Sequence, residues 1–239
     1  MNSSEMSILK RTARTAGVLY LLVAIIGPFG MMYIPSQIIV WNDAAATVQN
    51  ILDHEFLFRS GIALRITIQV LMLLVVWFLY QLFNKVNKPQ AKLMVILYIV
   101  AVPIGFLANV FNFTALAICR GDILQSFSPE RLNDLAELFI RVGSYDTQLV
   151  QLFWGLWLLP FGLLVFHSRF IPRIFGVLLF INGIAYIILC FSIVLFPEYK
   201  SIVYKVSLPF LVAGEIPMIF WLLIKGVRTK ASIVPKEDN

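Results

Sequence analysis

The stretch from Ile174 to Phe196 reads IFGVLLFINGIAYIILCFSIVLF and contains no charged residue. A helix that rises 1.5 Å per residue needs about 20 apolar residues to cross about 30 Å of hydrocarbon. This stretch is long enough, and its single amide, Asn182, lies near the middle. It therefore predicts a transmembrane α-helix.

Five further stretches have the same length and character. Pro28 and Pro35 fall within the first of them and predict a kink or an unwound end there, because proline cannot donate a backbone hydrogen bond. We therefore predict an all-α fold, a polytopic integral membrane protein with a six-transmembrane-helix bundle. The other five predicted spans are Thr15–Val40, Ile62–Phe83, Leu93–Cys119, Thr147–Phe166 and Val206–Ile224.

Composition excludes a soluble domain. Apolar residues make up 60% of the chain and charged residues 13%, against about 45–50% and about 25% in soluble domains. The net charge of +6 does not indicate nucleic-acid binding, because the basic residues lie at the ends of apolar stretches. Cys119 and Cys190 lie in or beside apolar stretches and are expected to be structural thiols.

The charge distribution predicts the topology and the domain organisation. Residues 1–14 form a basic amino terminus, residues 15–228 the six-helix domain and residues 229–239 a solvated, disordered tail. The first apolar stretch is too long for a signal-peptide core, so we expect an uncleaved first helix. Lysine and arginine are about twice as frequent on one side of the predicted spans, which places both termini in the cytoplasm.

Two loops on the opposite side are expected to contain short amphipathic helices. Asn42 or Asp43 can cap a helix whose Val48, Ile51 and Leu52 share one face. Ser128, Pro129 and Glu130 have the pattern of a helix start. We interpret the segment that follows as an interfacial helix leading into the fourth span, or as a surface helix packed on the bundle.

Polar side chains within the apolar stretches are the candidate ligand-binding residues. An ionised side chain in the bilayer costs about 2.5–3.5 kcal/mol on insertion scales, so Arg65, Asp146 and Glu215 stand out. Glu215 lies near the middle of the sixth span, and the other two lie towards the outer side. Amides at mid-to-outer depth accompany them: Gln69, Asn109, Asn112, Gln148, Gln151 and Asn182.

We expect these groups to line an outward-facing polar cavity around Arg65 and Glu215, with Asp146 at its mouth. One cation against two acids leaves excess negative charge, so the cavity could hold a proton or attract a cationic ligand. The alternative is that Arg65 and Glu215 form an ion pair that only holds helices together, and that the amides form interhelical hydrogen bonds.

The sequence offers little for catalysis. His54 and His167 fall on opposite sides of the predicted membrane, so they cannot share a zinc site. Metalloprotease, nucleophile-elbow, phosphate-loop and Cys-x-x-Cys motifs are all missing from the sequence. We therefore predict no catalytic residue, no metal and no cofactor.

Several short motifs, in order along the chain, resemble a family of bacterial membrane proteins called domain of unknown function 4386. The resemblance covers about residues 11–228 and implies a bacterial plasma-membrane protein of six helices, without an activity or a catalytic residue. The motifs are RTAGVLY at 14–20, DAAA at 43–46, FRSGI at 58–62, YD at 145–146, FWGLW at 153–157, IPRIFGVL at 171–178, GE at 214–215 and WLLIKGV at 221–227.

Three classes of function remain open. The preferred class binds or transports a small ligand or ion, with the lipid bilayer as surroundings and a homodimer expected for transport. The second is a structural or regulatory membrane subunit, in which the same polar residues only join helices. The third and least favoured is an intramembrane enzyme.

Overall fold

A computed structural model describes residues 3–227, and the predicted tail at 229–239 lies outside this range. The described residues are almost entirely helical, and no strand occurs among them. The α-helices are α1 (Ser3–Pro28), α2 (Ile34–Ile38), α3 (Ala44–Asp53), α4 (Glu55–Phe83), α5 (Lys88–Cys119), α6 (Pro129–Ser168), α7 (Arg173–Leu195), α8 (Lys200–Ala213) and α9 (Glu215–Ile224). A π-helical turn at Phe29–Tyr33 joins α1 to α2, and a 3₁₀ turn at Pro197–Tyr199 precedes α8.

Six helical segments are long and apolar enough to cross a membrane, which confirms the predicted fold class. Many of their large apolar side chains are exposed, such as Val110 at 54% and Ile188 at 54%. Side chains of this kind need lipid rather than water around them. The segments are Ser4–Ile38, Glu55–Phe83, Lys88–Cys119, Pro129–Ser168, Arg173–Leu195 and Pro197–Ile224.

Two predicted elements continue further than the sequence indicated. The predicted helix after Ser128 is the first part of α6, which runs unbroken from Pro129 into the fourth span and ends at Ser168. No proline lies between Pro129 and Pro160 to interrupt its backbone hydrogen bonds. The predicted sixth span lies within the segment Pro197–Ile224, in which α8 gives way to α9 at Gly214.

The chain divides into two compact units. Among the described residues, unit 1 comprises 3–22, 72–100 and 151–227, and unit 2 comprises Val23–Leu71 and Ala101–Val150. Unit 1 has an aromatic core in which Phe161 contacts both Trp157, with ring centroids 5.4 Å apart, and Phe83, at 5.8 Å.

Unit 2 has an aliphatic core to which α2, α3, α4, α5 and α6 contribute. Its buried residues are Ile34, Ile38, Ile51, Phe58, Ile62, Ala115, Leu116 and Ile140. The Asp43 carboxylate accepts from the Ala46 amide at 2.9 Å and caps α3 as predicted. Val48 of α3 packs with Ile118 and Ala136, so this short helix is part of the folded unit.

Candidate functional site

The interruption of the sixth span places Glu215 at the first residue of α9. Pro217 has no N–H, so it cannot bond to the carbonyl of Ala213, and the hydrogen-bonded helix is broken between them. A Cβ atom at Gly214 would lie 2.8 Å from the Asn182 Cβ and 2.8 Å from the Leu178 oxygen. Only glycine allows α7 to come this close to the break.

Glu215 is held by hydrogen bonds from two other helices. The Tyr20 hydroxyl of α1 donates to Glu215 Oε2. Asn182 Nδ2 of α7 donates to Glu215 Oε1 at 3.2 Å and also to the Leu211 carbonyl at 3.2 Å. Asn182 therefore serves both the carboxylate and a carbonyl near the end of α8.

The Glu215 carboxylate has no cationic partner within unit 1. None of the described lysines and arginines of this unit forms an ion pair with it. Asn182 is fully buried, and its Oδ1 atom has no hydrogen-bond partner among the described residues. The site thus combines an uncompensated acid with an unused oxygen ligand.

Aromatic side chains surround this acid. Tyr20 and Tyr98 are each 2% exposed, and their rings lie 6.5 Å and 5.6 Å from the ring of the buried Trp157. Tyr98 and Tyr186 also lie near Glu215. A tyrosine hydroxyl can orient its dipole towards a charged group and is itself uncharged.

A glycine seam between α6 and α7 fixes the position of Asn182. Cβ atoms at Gly155 and Gly183 would lie 2.5 Å and 2.8 Å from each other's carbonyl oxygens. Gly162 and Gly176 meet in the same way, at 2.7 Å and 2.6 Å. Small residues of this kind let two membrane helices approach closely, and Asn182 directly precedes Gly183 in this seam.

Unit 2 contains a second polar site, built on the π-helical turn. The Ile34 amide bonds to the Phe29 carbonyl, and Pro35 has no N–H, so the Gly30 carbonyl lacks its usual backbone donor. Arg65 Nε of α4 donates to this carbonyl at 3.2 Å. A side chain of another helix again compensates a break caused by proline.

Arg65 also reaches α6. Its Nη1 lies 3.4 Å from the Thr147 hydroxyl, and Asp146 lies near the guanidinium. Asp146 Oδ2 is buried without a hydrogen-bond partner among the described residues. A small cavity of about 30 Å³, lined in part by Arg65 and Asn112, has room for about two water molecules.

A sequence model of the family described as domain of unknown function 4386 matches residues 15–226. The chain belongs to this family. Searches among curated proteins and among solved structures gave no match. Membership in the 4386 family supplies no activity, so function has to be argued from the two polar sites.

Three other predicted residues of this 4386-family chain, Gln69, Asn109 and Gln148, also belong to unit 2. Gln69 packs against Gly105, where a Cβ atom would lie 2.0 Å from its Nε2. Asn109 donates to the Gly105 carbonyl at 3.3 Å, and its Oδ1 has no partner among the described residues. Gln148 donates to the Ser144 hydroxyl at 3.2 Å.

The nine predicted binding residues divide between the two units. Arg65, Gln69, Asn109, Asn112, Asp146 and Gln148 belong to unit 2, and Gln151, Asn182 and Glu215 to unit 1. Each of the two charged centres has hydrogen-bond partners from its own unit. Sequence reasoning missed Tyr20, Tyr98 and Thr147 because it considered only charges and amides, although Tyr20 ends the motif RTAGVLY.

Proposed function

We propose that this membrane protein binds a small monovalent cation, a proton or an ion such as Na⁺, at Glu215. The observation that carries the proposal is a glutamate without a cationic partner in its unit, beside a fully buried asparagine with an unused oxygen. Glu215 is partly buried, and an ionised carboxylate without a counter-charge is costly in such surroundings. A bound proton or cation removes most of that cost.

The chemistry of the surrounding groups suits a small hard cation. Carboxylate, amide and hydroxyl oxygens are the ligands that such cations prefer, and Glu215, Asn182 and Tyr20 supply one of each. We therefore favour ion-coupled transport as the process, with a homodimer as the expected assembly for a chain of six spans.

The expected setting is the bacterial plasma membrane, with both termini in the cytoplasm. Under this topology the Glu215 site lies near the centre of the bilayer. Arg65 and Asp146 are expected in the outer half of the bilayer, as their positions within the predicted spans indicate.

A structural role is the second candidate, and one observation favours it. The hydrogen bonds of Glu215 join α9 to both α1 and α7, so the same contacts could serve only to hold these helices together. Under this alternative Glu215 needs no exchangeable cation, and substitution changes stability alone.

Thermal unfolding of the purified protein separates the two candidates. Wild type, Glu215→Gln and the control Glu198→Gln, an exposed glutamate of the 3₁₀ turn, are compared in Na⁺, Li⁺ and K⁺ with choline as the ionic-strength control. Each protein is also compared across a pH series. A ligand that binds only the folded protein, at 100 times its dissociation constant, raises the free energy of unfolding by about 2.7 kcal/mol.

We expect wild type and Glu198→Gln to be stabilised by at least one cation or to share a pH dependence that Glu215→Gln lacks. An identical response of all three proteins to every cation and to pH would contradict cation binding. A lower stability of Glu215→Gln with unchanged responses would assign the residue a structural role.

A further inference from the structure

A basic groove runs along the amino-terminal part of α1. Its volume is about 520 Å³ and it is open to its surroundings. After Ser7 its lining residues are adjacent pairs that recur every four residues, which places all of them on one side of α1. The lining residues are Ser7, Lys10, Arg11, Arg14, Thr15, Val18 and Leu19.

Two of the three cations in this groove have no acidic partner. Lys10 and Arg11 form no ion pair within the described part of the chain, whereas Glu5 of the same helix pairs with Lys85 at 3.9 Å. Arg14 Nη2 donates to the Ile224 carbonyl at 3.4 Å, which keeps one guanidinium at the groove. The groove therefore presents net positive charge, with Arg14 held in place and Lys10 and Arg11 unpaired within the described part of the chain.

The cationic end of the groove continues into an exposed apolar face. Val18 is 47% and Leu22 is 43% exposed, and both follow Arg14 on the same side of α1. The rise from Arg11 to Leu22 is about 16 Å at 1.5 Å per residue, close to the roughly 15 Å thickness of one hydrocarbon leaflet. Charge and apolar surface are thus spaced like the headgroup and the acyl chain of one lipid.

We propose that this groove is a binding site for an anionic phospholipid. The phosphate and any further headgroup charge lie among Lys10, Arg11 and Arg14, and an acyl chain follows Val18 and Leu22. Zwitterionic lipids bind less well, because their headgroups carry a cation that the three basic side chains repel. This site is separate from Glu215 and does not depend on the proposed cation binding.

The test is a lipid titration of the full-length protein in detergent, followed by native mass spectrometry. Phosphatidylglycerol is compared with phosphatidylcholine of the same acyl chains, and glycerol phosphate and inorganic phosphate serve as soluble anions. The variant is Lys10→Gln combined with Arg11→Gln. The control combines Lys200→Gln with Lys205→Gln, two exposed lysines of α8.

We expect phosphatidylglycerol to bind wild type and the control more tightly than phosphatidylcholine does. Each cation near an anionic headgroup contributes about fivefold in affinity, so the Lys10/Arg11 variant should bind phosphatidylglycerol about 25-fold more weakly than wild type. Added salt should weaken phosphatidylglycerol binding to wild type. This part of the test does not depend on any variant. An unchanged melting temperature without lipid shows that the variant is folded.

Three results would overturn the proposal. The two phospholipids could bind equally, or the Lys10/Arg11 variant could bind phosphatidylglycerol as wild type does. Glycerol phosphate or inorganic phosphate could also bind as tightly as phosphatidylglycerol, in which case the groove is a site for soluble anions and not for a lipid.

Discussion

Replacing Gly155 by alanine should destabilise the protein by forcing α6 away from α7. The new Cβ atom would lie 2.5 Å from the Gly183 oxygen and 2.9 Å from the Tyr186 Cβ. The first neighbour is a backbone atom, so no side-chain rotation relieves the contact. The helices must separate by about 0.9 Å before that Cβ reaches the 3.4 Å of ordinary contact.

Overpacking of this kind lowers the free energy of unfolding by about 1–3 kcal/mol. Gly27→Ala is the matched control, because a Cβ atom there meets nothing within 4 Å. Gly27→Ala should raise the free energy of unfolding by about 0.4–1 kcal/mol, because alanine gives the unfolded chain less conformational entropy than glycine does. The free energies of unfolding of the two variants should therefore differ by about 1.5–4 kcal/mol.

Unfolding of both variants in a denaturing detergent, followed by circular dichroism, measures this difference. The displacement also moves Asn182, which precedes Gly183, relative to Glu215, so any cation response that depends on Glu215 should weaken in Gly155→Ala only. A Gly155→Ala protein as stable as Gly27→Ala would refute the close approach of the two backbones.

Three further predictions concern single contacts. Arg65→Gln should lower the free energy of unfolding by about 1–3 kcal/mol, because the Gly30 carbonyl loses its donor. The control Arg59→Gln, which removes an exposed ion pair, should lower it by at most about 1 kcal/mol. Equal losses in the two variants would argue against the Gly30 contact. Asp43→Ala should cost about 1 kcal/mol by removing the cap of α3, and an unchanged unfolding curve would show that the cap is dispensable. Tyr20→Phe and Glu215→Gln should be coupled by at least about 0.5 kcal/mol in a double-mutant cycle of unfolding, and additive effects would mean that the two side chains do not interact.

The spans were predictable because a membrane helix is set by the length of an apolar stretch, which is a local property. The stretch at 174–196 corresponds to α7 within one residue at each end. The kink between Pro28 and Pro35 was also predictable, since proline acts on its own helix. Its form, a π-helical turn whose free carbonyl is taken by Arg65, depends on a residue 35 positions away.

The partners of Glu215 were not predictable in the same way. A tyrosine suits a membrane helix whether or not its hydroxyl is used, so Tyr20 has no distinguishing pattern in the sequence. Its contact with Glu215 spans 195 positions and depends on how α1 and α9 are rotated in the folded unit. The break at Gly214 had local causes in Gly214 and Pro217, and the apolar length of the stretch concealed it.

The most direct test of the central claim is the infrared difference spectrum of the reconstituted protein between Na⁺ and choline, and between two pH values. Cation or proton exchange at Glu215 predicts a carboxyl band that disappears in Glu215→Gln and persists in Asp146→Asn. A difference spectrum that is the same in wild type and Glu215→Gln would contradict the assignment of Glu215 as the cation-binding residue.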